Sequence, residues 1–380
     1  MKKKNRIRVA TILATMLSHT VFAAAVHGAL DGTEERLRCT ASLACALAGV
    51  LFFALRIGAW IDDPRRNPHF VTFIELPFLV HWNACALGIV PCALVFAIRT
   101  FGYQGPHPGT ILSLYTWIYL LLIPIAAYGI FVRRRRIVVH ELDVPIRGLD
   151  RRFDGYRIAH LSDLHIGNMT PEAWGRDWAA RVNRSAADIV VVTGDLIVGG
   201  SDFLEDAAAV VGAIRAPGGV FVSLGNHDYF GDAERLVCAL RHRGAYVLRN
   251  EGMLLIRDKA RLYLAGIDDT WTQRDNLERA MAGCPAGVPS VLLSHDPERF
   301  DQAEKAGIPL TLSGHTHGGQ VAIPFSKGHL SLLHLLHPFP SGLYRRRRSS
   351  LYVHPGLGTS GPPIRLGVAP AIVVHTLRTH

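Results

Sequence analysis

Five times between Arg157 and Gln320, a short run of apolar and β-branched residues breaks off at an aspartate, an asparagine or a histidine. The runs are Arg157–Ser162, Asp188–Val192, Gly219–Leu224, Pro289–Ser294 and Ile308–Ser313. The polar residues that follow them are Asp163 and His165, then Asp195, Asn226 and His295, and finally His315 with His317. Apolar runs of this length, bounded by Gly, Asp and Pro, read as strands. Between them lie helix-type segments at 171–184, at 201–215 with Ser201 or Asp202 as cap, and at 232–243, and a hairpin-like pair at 253–267. Strands alternating with helices define a layered α/β domain, and such sheets place ligands at the carboxyl ends of their strands. Polar strand ends that recur five times at one edge therefore read as a single site.

The densest part is Gly314-His315-Thr316-His317-Gly318-Gly319-Gln320, where two imidazoles one residue apart are bracketed by glycines that permit unusual backbone angles. Taken together, the strand ends offer three oxygen and four nitrogen donors. A mixed carboxylate and imidazole set suits Mn, Fe, Zn or Co better than Mg, and the absence of thiolates disfavours a structural zinc. Seven donors exceed what one tetrahedral ion takes. Two divalent metal ions sharing a carboxylate would use them all, and ions about 3.5–4 Å apart are the usual arrangement for displacing an oxygen at phosphorus.

The motifs Asp163-x-His165, Gly194-Asp195, Gly225-Asn226-His227-Asp228, His295 and Gly314-His315-x-His317 resemble, in order and spacing, those of the calcineurin-like metallophosphoesterase family. The resemblance covers about residues 151–378 and implies a sandwich of two mixed β-sheets flanked by helices. It implies one metal on Asp163, His165, Asp195 and His317 and a second on Asp195, Asn226, His295 and His315, with Asp195 as the bridge. It further implies that His227 faces the phosphate and stabilises or protonates the leaving oxygen, with Asp228 steering its imidazole. Gly318-Gly319-Gln320, the run 356–361 and Ile364-Arg365 resemble the membrane-associated bacterial branch that includes YkuE and YaeI. Where that branch often has an acidic residue, this chain has Pro370-Ala371, so a role for such a carboxylate does not carry over.

Ahead of the α/β part lie four apolar stretches at 9–30, 40–61, 71–98 and 110–132, each long enough for the ~20 residues of a bilayer helix. The division into domains is expected at 1–136, an all-α transmembrane region of about four helices, and 137–380, the phosphoesterase domain. Fifteen of the 41 Lys and Arg but only six of the 31 Asp and Glu precede Ile137, so the basic balance belongs to the membrane flanks and implies no nucleic-acid partner. Lys2, Lys3, Lys4, Arg6 and Arg8, then Arg65 and Arg66, then Arg133 to Arg136 mark one side, against Arg36, Arg38 and Arg99 on the other. The positive-inside rule makes the first side cytoplasmic, with the catalytic domain facing the cytoplasm from the inner membrane. A cleaved signal peptide is a competing reading of the first stretch; it leaves three spans and the same sidedness. His19, His27, Arg56, Glu75 and His81 fall in or beside the spans and are expected to pack between helices or snorkel. The six cysteines show no C-x-x-C spacing and read as reduced, small apolar residues.

Two functions remain open on the sequence. One is a membrane-anchored di-metal phosphoesterase acting on a phosphomonoester, phosphodiester or pyrophosphate, with a lipid or nucleotide-lipid among the candidate substrates. The other is a membrane sensor or scaffold whose phosphoesterase-like domain binds without hydrolysis. The segment 330–348, with its leucines and Arg345 to Arg348, reads either as an amphipathic element on anionic lipid or as an ordinary covering loop with a solvated basic run. Oligomeric state is left open.

Overall fold

The computed structural model describes residues 2–101, 108–323, 331 and 333–379. The chain divides into two compact units, residues 1–61 with 66–133, and residues 62–65 with 134–380.

The first unit is helical: α1 (Lys2–Ala29), α2 (Glu35–Asp62), the single turn α3 (Pro68–Phe70), α4 (Leu76–Thr100) and α5 (Pro108–Ala127), with a π-helical turn at Val71–Glu75. Four stretches, Arg8–Ala29, Glu35–Asp62, Pro68–Ile98 and Ser113–Arg135, are long and apolar enough to cross a membrane. Their polar residues are paired more closely than expected. Arg56 does not snorkel; its Nη2 lies 2.6 Å from Oε1 of the fully buried Glu75, whose Oε2 meets Arg66 Nε at 3.0 Å. A carboxylate left unpaired in an apolar surrounding would cost several kcal/mol, so Glu75 takes two guanidinium partners and the Trp60 indole N–H. His19 and His81 also meet, Nε2 to Nε2 at 3.3 Å.

The second unit holds twelve described strands in two mixed sheets. Its strands are β1 (Val138–Ile146), β2 (Arg157–Leu161), β3 (Ile189–Thr193), β4 (Val220–Ser223), β5 (Tyr246–Val247), β6 (Glu251–Arg257), β7 (Ala260–Gly266), β8 (Ser290–Leu293), β9 (Leu310–Ser313), β10 (Gly342–Arg346), β11 (Ser349–Val353) and β12 (Ala371–Thr379). One sheet has the order β1-β12-β2-β3-β4-β5 and the other β10-β11-β9-β8-β7-β6. β2 to β5 run parallel, as do β7, β8, β9 and β11, while β12 against β2, β6 against β7 and β10 against β11 are antiparallel. Both faces of the central strands are covered, which is why β3 reads Ile-Val-Val-Val-Thr without alternation.

Period-two geometry then sorts the side chains. Ile158, Ile189, Val191 and Phe221 point between the sheets and meet Leu264, Val291, Leu293, Leu310 and Leu312 from the other sheet. Val190, Val192 and Val222 point outward onto α6 (Glu172–Asn183), α7 (Leu204–Gly212) and α8 (Ala233–His242). The second sheet's outer face packs on α9 (Leu277–Met281) and α10 (Phe300–Lys305) through Ala280, Leu292 and Ala303. The α/β sandwich expected from the resemblance is thus the fold.

Local chemistry explains most boundaries. α8 starts where the Asp232 carboxylate accepts the Arg235 N–H and ends where Gly244 (φ +85°) lets Ala245 N–H reach the Leu240 carbonyl at 3.1 Å. The hairpin between β6 and β7 turns on Asp258 and Lys259, both at positive φ, the backbone of a two-residue type I′ loop. Two expectations shift. Pro171 precedes α6 rather than opening it, and α7 begins at Leu204 without a side-chain cap, because the Asp202 carboxylate accepts the Arg65 N–H instead.

Gly175 marks a tight helix contact: a Cβ there would press on both γ-methyls of Val210 in α7. Alanine gains about 1 kcal/mol of helix propensity over glycine, but overpacking a stiff β-branched neighbour costs about 1–3 kcal/mol. Gly175→Ala therefore lowers the calorimetric unfolding midpoint of this unit; an unchanged or raised midpoint would show that α6 and α7 have room.

Candidate active site

The parallel strands β2, β3 and β4 of one sheet and β8 and β9 of the other direct their carboxyl ends to the same place. Backbone hydrogen bonds lock the segments that leave them: Asp163 N–H to the Gly194 carbonyl, His165 N–H to that of Asp195, and Gly314 N–H to that of His295, each at 3.0 Å. The two sheets are joined where His295 Nδ1–H donates to the Thr193 carbonyl at 2.7 Å. The chain turns sharply at the ends of β2, β3 and β9. Asp163, His165, Asp195, His315 and His317 all sit in the left-handed region, with φ between 46° and 73°. Such positions cost about 1–3 kcal/mol each and cluster where surrounding structure over-determines them for a purpose. Gly194 (φ +82°) is needed as glycine, since a Cβ would lie 2.7 Å from His295 Nδ1.

Six of the seven sequence-predicted ligand positions are brought into one cluster, and the seventh, Asn226, lies between Gly225 and His227, both of which approach Asp195. His165 Nε2 lies 3.0 Å from His317 Nε2 and 3.6 Å from Asp195 Oδ2, and His317 Nε2 lies 3.2 Å from Asp163 Oδ1. On the other side, His295 Nε2 is 3.3 Å from Asp195 Oδ2 and 3.2 Å from His315 Nδ1. Asp163, His165 and His317 form one group able to hold an ion, and Asp195, His295 and His315 a second. The Asn226 side-chain oxygen is buried with no hydrogen-bond partner among the described residues. An orphaned amide oxygen costs about 1–3 kcal/mol, and here it is accompanied by imidazole nitrogens aimed at one another. Burial first, and the neighbouring His227 second, hold His165 well below the ordinary imidazole value, so its ring is neutral, the form that ligates. The donor chemistry, the close nitrogen pairs and the orphaned oxygen all fit divalent cations.

His227 stands beside this cluster, half-buried, with its ring 4.7 Å from that of His165. Its Nδ1–H donates to the Val198 carbonyl at 2.5 Å, and its Nε2 faces Ser360 Oγ at 3.4 Å. Asp228, expected to steer this imidazole, does something else. Its carboxylate accepts backbone N–H groups from Gly225 (2.9 Å), Asp195 (3.0 Å), Leu196 (2.8 Å) and Ile197 (3.4 Å). Burial and the Asp195 charge push this carboxyl up to about 7 while the amides pull it down; since every partner is a donor, the carboxylate is the form that fits. The Val198 carbonyl, a backbone group, orients His227 and could not be read from residue types. Ser360 was signalled only by the glycine-rich run around it; the Gln320 side-chain carboxamide holds it there, accepting Ser360 N–H at 2.8 Å. Arg365 is fully buried, donating to the carbonyls of Pro355 and Gly358, with Nη2 3.4 Å from His317 Nδ1.

The segment 330–348 divides. Residues 330 and 332 lie outside the described residues, and α11 (Leu333–Leu336) is one turn. Arg345 and Arg346 belong to β10, Arg347 makes the turn to β11 at φ 47°, and Arg346 pairs with Asp301 at 2.6 Å while its guanidinium lies over Phe339. The basic run is therefore a hairpin at a sheet edge, not part of an amphipathic helix.

Comparison with known proteins agrees with this geometry. The family model for calcineurin-like phosphoesterases matches residues 156–319. A zebrafish "transmembrane protein with metallophosphoesterase domain" is 31% identical over 69% of this chain and 61% of its own length. The metallophosphoesterase YkuE of Bacillus subtilis is 29% identical over 66% of this chain and 89% of its own, and a metallophosphoesterase of Aquifex aeolicus 31% identical over 58% and 85%. This chain belongs to the calcineurin-like metallophosphoesterase family. It spans 54–61% of the length of the cattle and zebrafish transmembrane relatives. The four apolar helices and the relatives named as transmembrane proteins associate it with a membrane.

The environment of Asp228 yields a test. In Asp228→Asn, an amide –NH2 must face backbone N–H groups that now meet a carboxylate, at a cost of about 1–3 kcal/mol for each group left unsatisfied. The variant unfolds at a lower temperature and loosens the turn carrying Asp195. A wild-type unfolding midpoint combined with lost turnover would instead assign Asp228 to the chemistry.

Proposed function

We propose that this chain is a membrane-anchored phosphoester hydrolase that works with two divalent metal ions on a phosphomonoester, phosphodiester or pyrophosphate bond. The observation that carries this reading is the pair of histidine and carboxylate groups on either side of Asp195. Asp163, His165 and His317 would hold one ion, Asn226, His295 and His315 the other, and Asp195 would bridge them. Ions held there supply Lewis-acid polarisation of the phosphoryl group and a water acidic enough to be a nucleophile at neutral pH.

The remaining chemistry falls to the chain. With Nδ1–H committed to Val198, Nε2 is the nitrogen of His227 left to face a bound ester, and in the doubly protonated ring it would give its proton to the leaving oxygen. The His227 N–H donates to Asp195 Oδ1 at 2.9 Å, so the acid and the shared carboxylate move as one piece. Mn, Fe, Zn or Co suits the donor set. The positive-inside distribution supports a cytoplasmic catalytic unit on an inner membrane. A lipid phosphoester remains within the proposed substrates on the strength of the membrane helices alone, since the basic hairpin at Arg345–Arg348 adds no lipid-binding helix.

Metal content and turnover separate the roles. Asp195→Asn loses both ions and most turnover of bis-p-nitrophenyl phosphate, whereas His227→Ala keeps its metal and loses about 10²–10⁴ in kcat, the range for an acid–base group. Two full metal equivalents with near-normal turnover in Asp195→Asn would end the shared-ligand assignment, and a wild-type kcat in His227→Ala would remove that ring from the mechanism.

Sidedness is tested by reporters fused after His380: a fluorescent reporter that matures in the cytoplasm should be active and alkaline phosphatase inactive. The reverse pattern would overturn the topology.

A further inference from the structure

The rings do not stop at His227. Phe230, on the same short turn, has its centroid 4.6 Å from the His227 ring, and Trp271 lies 5.8 Å beyond Phe230. Both are half-buried. Neither is part of the sheet core, and each is fixed by a polar clamp rather than by apolar packing alone. Tyr229, next to Phe230, donates its hydroxyl to Asp268 Oδ1 at 2.5 Å, and Arg249 braces both, with Nε 3.1 Å from Asp268 Oδ2 and Nη2 3.1 Å from the Tyr229 hydroxyl. The buried Asp269 carboxylate accepts the N–H groups of Trp271 (3.2 Å) and Thr272 (2.7 Å), which fixes the turn that carries the indole. That turn is in turn pinned to the metal cluster, because Thr270 Oγ1–H donates to Asp296, the residue after His295, at 2.7 Å.

An aromatic pair held this firmly beside a phosphoester centre is preorganised for a ligand, since ordering entropy has been paid in folding. Its surroundings select which ligand. Thr272, Gln273 and Arg274 beside the indole are exposed and polar, and the Arg274 guanidinium lies 4.9 Å from the Tyr229 ring centre. An acyl chain needs a continuous apolar trough, whereas a planar ring with hydrogen-bonding edges suits two aromatic faces set in a polar, cationic rim. Resting on the hydrolase reading above, we propose that Phe230 and Trp271 form a subsite for a planar, hydrogen-bonding aromatic group such as a nucleobase, carried on one ester arm of the phosphate.

The test uses the full chain in detergent with Mn²⁺ and two phosphodiesters, the methyl esters of adenosine 5′-phosphate and of ribose 5-phosphate, the second carrying a hydroxyl in place of the base. The wild type is expected to favour the adenosine ester in kcat/KM by about 5- to 150-fold, the range for stacking one base. Trp271→Ala should bring that ratio close to one, and Trp271→Phe should retain part of it. Equilibrium dialysis of adenosine 5′-monophosphate against ribose 5-phosphate reads the same preference without turnover. A wild-type ratio near one in both assays, or an equal loss on both esters in Trp271→Ala, overturns the subsite while leaving the hydrolase intact. So does a methyl ester of acylglycerol phosphate that suffers more from Trp271→Ala than the adenosine ester. A protein that cleaves neither ester but binds the nucleotide preferentially, and loses that preference in Trp271→Ala, keeps the subsite and sinks the hydrolase reading.

Discussion

The hydrogen bond from His295 Nδ1 to the Thr193 carbonyl is the point on which the site depends, because it joins the strand ends of one sheet to those of the other. Without such a tie each sheet would present half a ligand set. With it, Asp195 at the end of β3 lies within 3.6 Å of His165 and 3.3 Å of His295, and one carboxylate serves both halves. The bond also commits His295 Nδ1 as a donor, so Nε2 is the nitrogen that faces Asp195 and the cluster. Five left-handed residues are the cost of turning so many strands toward one point, and the Asp228 carboxylate offsets part of it by gathering the backbone amides of Asp195, Leu196 and Gly225.

The strands that carry the site were legible because they are central and buried on both faces, so their apolar runs are unbroken and their polar ends abrupt. Among the edge strands, β6 was read with its hairpin partner, but β1 was not. β1 reads Val-Val-His-Glu-Leu-Asp-Val-Pro-Ile, half exposed, and its partner β12 begins at Ala371, paired with Val138. Nothing local announces a pairing across such a separation. The basic run at Arg345–Arg348 stayed ambiguous for a related reason: an edge hairpin whose Arg346 pairs with Asp301 and covers Phe339 has the composition of a membrane-surface segment. In the site, side-chain types revealed the metal-type residues and the family resemblance singled out His227, whereas the partners of His227 and Asp228 are mainly backbone groups, on which residue identity is silent.

The helical unit shows the same limit. His19, Arg56, Glu75 and His81 lie far apart in sequence with no regular spacing, yet the fold pairs Arg56 with Glu75 and His19 with His81. The second pair extends into a directional chain. His19 Nδ1 lies 2.9 Å from the Thr15 carbonyl and must donate to it, which leaves His19 Nε2 to accept from His81 Nε2–H, and His81 Nδ1 to accept the Tyr119 hydroxyl at 2.9 Å. Three helices are thereby specified relative to one another by bonds that no apolar substitution could replace in kind.

In the proposed assignment, seven residues from five strand ends hold two ions around one carboxylate. The most direct test is an anomalous-scattering map from crystals of the Mn²⁺-loaded protein. Two peaks are expected about 3.5–4 Å apart, one against Asp163, His165 and His317, the other against Asn226, His295 and His315, with Asp195 between them. A single peak, or a pair that leaves Asp195 to one side, would contradict it.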